Sequence, residues 1–219
     1  DEPCQNVDKR IKESDQVYRA NLSWKATDTA MLYATWSEGY RPGGINRNPF
    51  AGDYVSDFLT NYELGWKARF AGDRLQFNGA VFFEEWDDIQ VSFQGANGIT
   101  QVANGGAAEV KGIEAQLDWL ATDNLRIGAA AAYYDTELTE DYCDFANIDA
   151  DPELECVNVK APSGTALPLT PKFKGNLIAR YSFPLGSFDA YTQGAFTYQD
   201  SASSALEIVD NDVVGDIPS

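Results

Sequence analysis

The sequence predicts an all-β protein: about eight antiparallel strands of a transmembrane β-barrel. Three observations carry this. Apolar and polar residues alternate strictly through several runs of ten residues or more, longer than the strands of most soluble sheets and long enough to cross a bilayer when tilted. The runs are rich in aromatics, which make up 13% of the 219 residues. The connections also alternate in kind. KATDT, AGDR, ATDN and PLGS are tight, whereas every other connection is longer and more polar, and barrels of the outer-membrane type sort their loops in this way.

The clearest stretch is Asn61–Phe93, NYELGWKARFAGDRLQFNGAVFFEEWDDIQVSF. Tyr62, Leu64, Trp66, Ala68 and Phe70 are apolar, while Asn61, Glu63, Lys67 and Arg69 are polar, a period of two. Gly72-Asp73 is expected to form a type II′ turn. That turn places Phe70 opposite Leu75, Leu64 opposite Val81 and Tyr62 opposite Phe83, so that the apolar faces coincide across the hairpin. Trp66 then lies across from Gly79, a large ring over a bare stretch of strand.

In chain order, strands are expected at 16–24, 29–40, 58–71, 74–93, 99–120, 125–136, 172–183 and 188–199. Residues 41–57 (RPGGINRNPFAGDYVSD) form a Gly-, Pro- and Asn-rich loop, and 137–171 form the longest one. Gly105-Gly106 marks a bulge or kink. Around PLGS, Phe183 is expected opposite Phe188. The four tight turns should share one rim.

Composition excludes whole classes of function. The formal net charge of −18 disfavours nucleic acid as a partner, and the absence of histidine excludes His-based catalysis and zinc binding through imidazole in this segment. No Gly-rich phosphate loop and no nucleophile-elbow serine is present, so no enzyme and no cofactor is expected. No apolar run is long enough for a transmembrane helix, and no signal peptide opens the chain, which starts as if in mid-loop. Cys143 and Cys156 bracket a polar loop and read as a disulfide, hence an oxidising compartment. The rival is three separate thiols; with the disulfide, Cys4 needs a partner from outside this sequence.

A soluble β-sandwich or lectin shares the alternation. It would bury the aromatic face between two sheets, but it would not sort its loops by length onto one end, nor carry Glu63, Lys67 and Arg69 together on one long strand.

The chain resembles the C-terminal barrel half of TonB-dependent outer-membrane receptors of the iron-complex type. The resemblance rests on LYATWSEGYRPGGIN (32–46), NYELGWKARF (61–70), NGAVFFEEWDDIQ (78–90), NGGAAEVKGIEAQL (104–117) and the later LPLTPKFKGNLIARYSF, in family order. It implies a barrel of about 22 strands with a plugged lumen. The plug and the motif that recruits TonB are not in this sequence. It further implies an outer membrane of a Gram-negative bacterium, with lipid and lipopolysaccharide as surroundings. The function implied is active import of a ferric siderophore, or alternatively of vitamin B12 or an oligosaccharide.

Candidate ligand residues follow from strand ends and outer loops. Tyr40, Arg41, Asn46 and Arg47 stand where an anionic ferric chelate would meet arginine. The competing reading is an interfacial tyrosine beside solvated arginines. Glu84 and Trp86, with Asp87 and Asp88, lie at an outer strand end, either as ligand contacts or as rim residues with Trp86 near an aromatic belt. Asp149, Asp151, Glu153 and Glu155 crowd the Cys143–Cys156 loop. They read as a weak calcium site or as a solvated acidic loop, since the sharp-turn glycine of a calcium loop is missing. The charged face of Glu63, Lys67, Arg69, Glu114, Lys174 and Arg180 is expected to line the lumen, and the apolar face to meet lipid.

Overall fold

The structure, a computed structural model, describes residues 8–48, 52–94, 98–143, 159–207, 212 and 214–219. Among these residues the strands are β1 (Arg19–Thr27), β2 (Ala30–Arg41), β3 (Asp57–Phe70), β4 (Leu75–Asp87), β5 (Gln90–Gln94) and β6 (Thr100–Asn104). They continue as β7 (Ala108–Leu120), β8 (Leu125–Leu138), β9 (Tyr142–Cys143), β10 (Val159–Ala161), β11 (Phe173–Leu185) and β12 (Phe188–Gln199). Eight of them form one antiparallel sheet in the order β1-β2-β3-β4-β7-β8-β11-β12, and β5–β6 and β9–β10 pair separately.

Because each long strand pairs with the next one in sequence, the chain reverses at every step and its connections sort onto two rims. The tight turns at 28–29, 71–74, 121–124 and 186–187 share one rim, and neighbouring turns are tied together. Arg69 N donates to Thr29 O at 2.8 Å, Leu120 N to Arg74 O at 2.7 Å and Ser182 N to Asn124 O at 2.8 Å. Arg74 also reaches Asp123, at 2.7 Å. The described parts of the long connections 42–56, 88–107 and 139–172 lie at the opposite rim.

Each face of the sheet reads across register. One row runs Leu22, Ala34, Leu64, Val81, Ile113, Tyr133, Phe173 over seven strands, and every member is apolar. The opposite face carries Lys25, Met31, Lys67, Asn78, Gln116, Ala130, Asn176 and Thr197 in one row. The apolar face is uncovered: Leu22 is 74% and Leu64 61% exposed. A sandwich needs a second sheet there, and among the described residues none packs on it. From Phe70 and Leu75 up to Tyr62 and Phe83 the apolar band spans nine residues along the strand, about 27 Å from end to end, or roughly 20 Å at a barrel's tilt. Beyond Phe83 and Tyr133 the same face turns charged. There Lys111 bridges Glu109 at 2.7 Å and Glu137 at 3.5 Å. Among the described residues, the one buried apolar cluster lies at the base of the long connections, where Ile89, Ala108, Leu138, Tyr142 and Ala161 meet.

The central hairpin has the expected register: Phe70 faces Leu75, Leu64 faces Val81, Tyr62 faces Phe83 and Trp66 faces Gly79. Its turn differs. Ala71, Gly72 and Asp73 all have positive φ, at 53°, 65° and 67°, where a type II′ turn has it at Gly72 alone. The PLGS register also differs from expectation. Leu185, not Phe183, faces Phe188, and Phe183 faces Ala190. The turn shrinks to Gly186-Ser187, with Gly186 at a φ of 63°. A slip of two residues keeps every side chain on its face, so the hydrophobic pattern is blind to it.

Two expected long strands are each broken in two. The 74–93 run leaves the main sheet after β4 at Asp88, whose φ is 55°, and 99–120 breaks between β6 and β7 at Gly106, whose φ is 64°. Gly105-Gly106 marks the second break in the sequence, as expected; at the first, Ile89 and Val91 resume the odd-numbered apolar phase of Val81 and Phe83, so period does not report the change of partner. The 137–171 loop similarly contains the end of β8, β9 and β10. The first strand starts at Arg19, and Lys25–Thr27 of the expected KATDT turn stays in β1.

Candidate functional site

On the polar face, beneath the long connections, lies an open cavity of about 750 Å³. Strand phase selects its lining. Asp57, Glu63, Phe82, Glu84, Trp86, Glu114, Tyr134 and Thr136 all fall on the polar-face positions of β3, β4, β7 and β8. Leu167 and Thr170 close it from the connection before β11, where Leu167 N donates to Thr136 Oγ1 at 3.1 Å. Glu63, Glu84 and Glu114 give it a negative wall. The Tyr134 hydroxyl donates to Glu114, and the Lys174 ammonium sits 4.8 Å above the Tyr134 ring.

At the upper edge of the cavity Asp57 is buried and holds Arg41. Arg41 Nε donates to Asp57 Oδ1 at 3.2 Å and to Oδ2 at 3.1 Å, and its Nη2 also binds Oδ2. Trp86 Nε1 donates to the same carboxylate at 3.1 Å, and Gln90 N at 3.2 Å. The guanidinium also lies 5.6 Å from the Trp86 ring centroid. Arg41 is thus held by protein groups, although its side chain stays half exposed.

The other candidates separate. Tyr40 lies on the apolar-face register and stacks on Phe58, with centroids 6.1 Å apart, and touches the cavity only at the edge beside Arg41. Asn46 is buried, donating to Gly52 O at 2.7 Å and Val102 O at 2.8 Å and accepting from Val102 N at 2.8 Å. Arg47 is exposed in the 42–56 connection. Glu84 lines the cavity. Asp149, Asp151, Glu153 and Glu155 lie outside the described residues, as do Cys4 and Cys156. Cys143 is disulfide-bonded. Among the described residues no three Cys, Asp or Glu side chains are grouped so as to hold a metal ion.

Asp57, Gln90 and Asn104 escape the sequence reading. The signal for Asp57 is its pairing with Arg41 in the β2–β3 register. A long intervening loop does not fix that register, and the alternation in β2 is too uneven to fix it alone.

An antiparallel meander of long strands, apolar on one face and polar on the other, with loops sorted by length, is the wall of an outer-membrane β-barrel. A family model described as TonB dependent receptor-like, beta-barrel, matches residues 5–218, and the chain belongs to that family. It is 31% identical over 117 residues to the pesticin receptor of Yersinia enterocolitica, a match covering 51% of this chain and 17% of that protein. It is 27% identical over 197 residues to the metal-pseudopaline receptor of Pseudomonas aeruginosa, covering 87% and 25% respectively. The fold matches the ferric yersiniabactin uptake receptor of Yersinia pestis with a TM-score of 0.65 at 20% identity, over 85% of this chain and 26% of that one. The siderophore receptor PiuA of Acinetobacter baumannii gives a TM-score of 0.65 at 22% identity, over 87% and 26%. The chain therefore spans about a sixth to a quarter of the relatives it matches. These relatives are receptors, not enzymes.

Proposed function

We propose that the chain is barrel wall from an outer-membrane receptor that imports a ferric siderophore or similar scarce ligand, energised by the TonB complex. One observation supports this most. The exposed apolar face and the charged face stand back to back across eight strands, and long connections roof the charged face at one end only. That is the geometry of a wall with lipid outside and a polar lumen with a mouth. The receptors it resembles carry siderophore and metal-chelate names.

In this reading the plug occupies the lumen beside Glu63, Lys67 and Glu114. Arg47 and Glu84 stand free to meet ligand, while Arg41, Asn46 and Trp86 shape the mouth. Lipid and lipopolysaccharide surround the apolar band. No step is covalent. Deleting the gene in its own bacterium is expected to abolish uptake of at least one ferric siderophore, and removing TonB should do the same. Uptake that persists without TonB overturns the reading. Loss of cobalamin or oligosaccharide uptake, with every ferric chelate unaffected, reassigns the cargo.

We also propose that the bond of Cys143 is to Cys156. Closing that loop stabilises the fold by about 3 kcal/mol in the chain-entropy view. Non-reducing peptide mapping should recover the two cysteines in one linked fragment; a Cys143–Cys4 fragment would refute the pairing.

A further inference from the structure

The 42–56 connection and the β5–β6 hairpin are joined by side chains rather than by a strand ladder. Gln90 Nε2 points at the carbonyls of Arg41 (3.3 Å), Pro42 (3.0 Å) and Val55 (3.0 Å). Asn104 accepts from Val55 N at 2.8 Å and donates to Val55 O and Asp88 O, at 3.0 and 2.7 Å. Asn46 returns the arrangement from the other side, taking both the N–H and the carbonyl of Val102 at 2.8 Å. At the root of these contacts sits Asp57, only 2% exposed. It ties the end of β2 through Arg41, the end of β4 through Trp86 and the start of β5 through the Gln90 amide.

We infer that Asp57 is a positioning residue of the receptor mouth, clamping the 42–56 connection and the β5–β6 hairpin into one body. Two physical arguments carry this. An isolated two-stranded hairpin is marginal in water, so the order of β5–β6 must come from what it is bonded to. A buried carboxylate with four donors is also a strong anchor, because each donor it loses leaves a charged group unsatisfied in a poorly solvated place. Arg41 and Asp57 are a register pair of β2 and β3, so the clamp stands on the sheet itself and not on another loop. On this sector of the mouth, opening moves both segments together, and the half-exposed Arg41 keeps its charge paired with Asp57.

The inference takes from the receptor reading only the word mouth; amide exchange reports the clamp whether or not cargo is carried. In the intact receptor in detergent, Asp57→Ala is expected to raise exchange by roughly tenfold or more in 42–56 and 88–107 together. Protection in β3, β7 and β8 should be retained. Gln90→Ala should loosen the same two segments. Asp57→Asn keeps an oxygen for Trp86 and Gln90 but not the charge for Arg41. It serves if the alanine variant fails to assemble, with a smaller rise in the same places. Asp135→Asn, which removes an exposed partner of Lys172, should change neither segment. Loosening of one segment alone, equal loosening of β3 and β7, or no loosening overturns the clamp.

Discussion

Leu64→Arg is expected to keep the receptor from assembling in the outer membrane, whereas Lys67→Gln in the same strand should assemble normally. Leu64 stands near the middle of β3, between Ala34 and Val81 in the apolar row. An arginine facing the bilayer midplane costs about 2–4 kcal/mol, and from mid-strand its side chain has furthest to reach for the interface. Set against a total stability of roughly 5–15 kcal/mol for an ordinary domain, one such change is a large fraction. Lys67 faces the other way, between Met31 and Asn78 on the polar face, where water solvates either side chain. The heat-modifiable folded band in outer-membrane fractions reads both. If Lys67→Gln lost that band and Leu64→Arg kept it, the lipid and lumen faces would have to be exchanged.

The face pattern was legible because period two and the bilayer act on the same side chains: Tyr62 to Phe70 against Glu63 to Arg69 requires no partner strand to be known. The central register was legible for a second reason. A tight turn leaves few ways to superpose two apolar faces, and Trp66 over Gly79 fits only one of them. Where the turn was longer in the reading than in the fold, as at PLGS, a two-residue slip went unseen because it moves no side chain across the sheet.

The mouth was largely illegible. Arg41 looks like a solvated ligand-seeking arginine until the β2–β3 register puts Asp57 beside it. Gln90 and Asn104 bond to backbone carbonyls and amides, contacts that impose no pattern on the residues they touch. The strand break at Asp88 hid because Ile89 and Val91 resume the phase of Val81 and Phe83, whereas Gly105-Gly106 announced the one at Gly106.

Gly79→Val is expected to destabilise the barrel by about 1–3 kcal/mol, the usual cost of overpacking a close-packed site. Valine favours strands, so backbone preference would act in the opposite direction and any loss must be steric. A Cβ at Gly79 would run into the Trp66 ring, and it would lie 2.7 Å from the backbone oxygen of Glu114. The ring can swing aside, though it is braced by Phe77 at 5.6 Å between centroids. The oxygen cannot, since β7 is paired to β4 through this stretch, with Gly79 facing Ala115 and Ala80 facing Glu114. Trp66 also keeps its place with its buried indole N–H unbonded, so contact over the bare glycine, and not a hydrogen bond, sets the ring. Adding Trp66→Ala to Gly79→Val should therefore recover part of the loss and leave the part due to the carbonyl. Denaturant midpoints of the refolded, detergent-solubilised receptor would separate the two. A Gly79→Val barrel as stable as the parent would mean that Trp66 does not lie over Gly79, and the β3–β4 register at this pair would have to be redrawn.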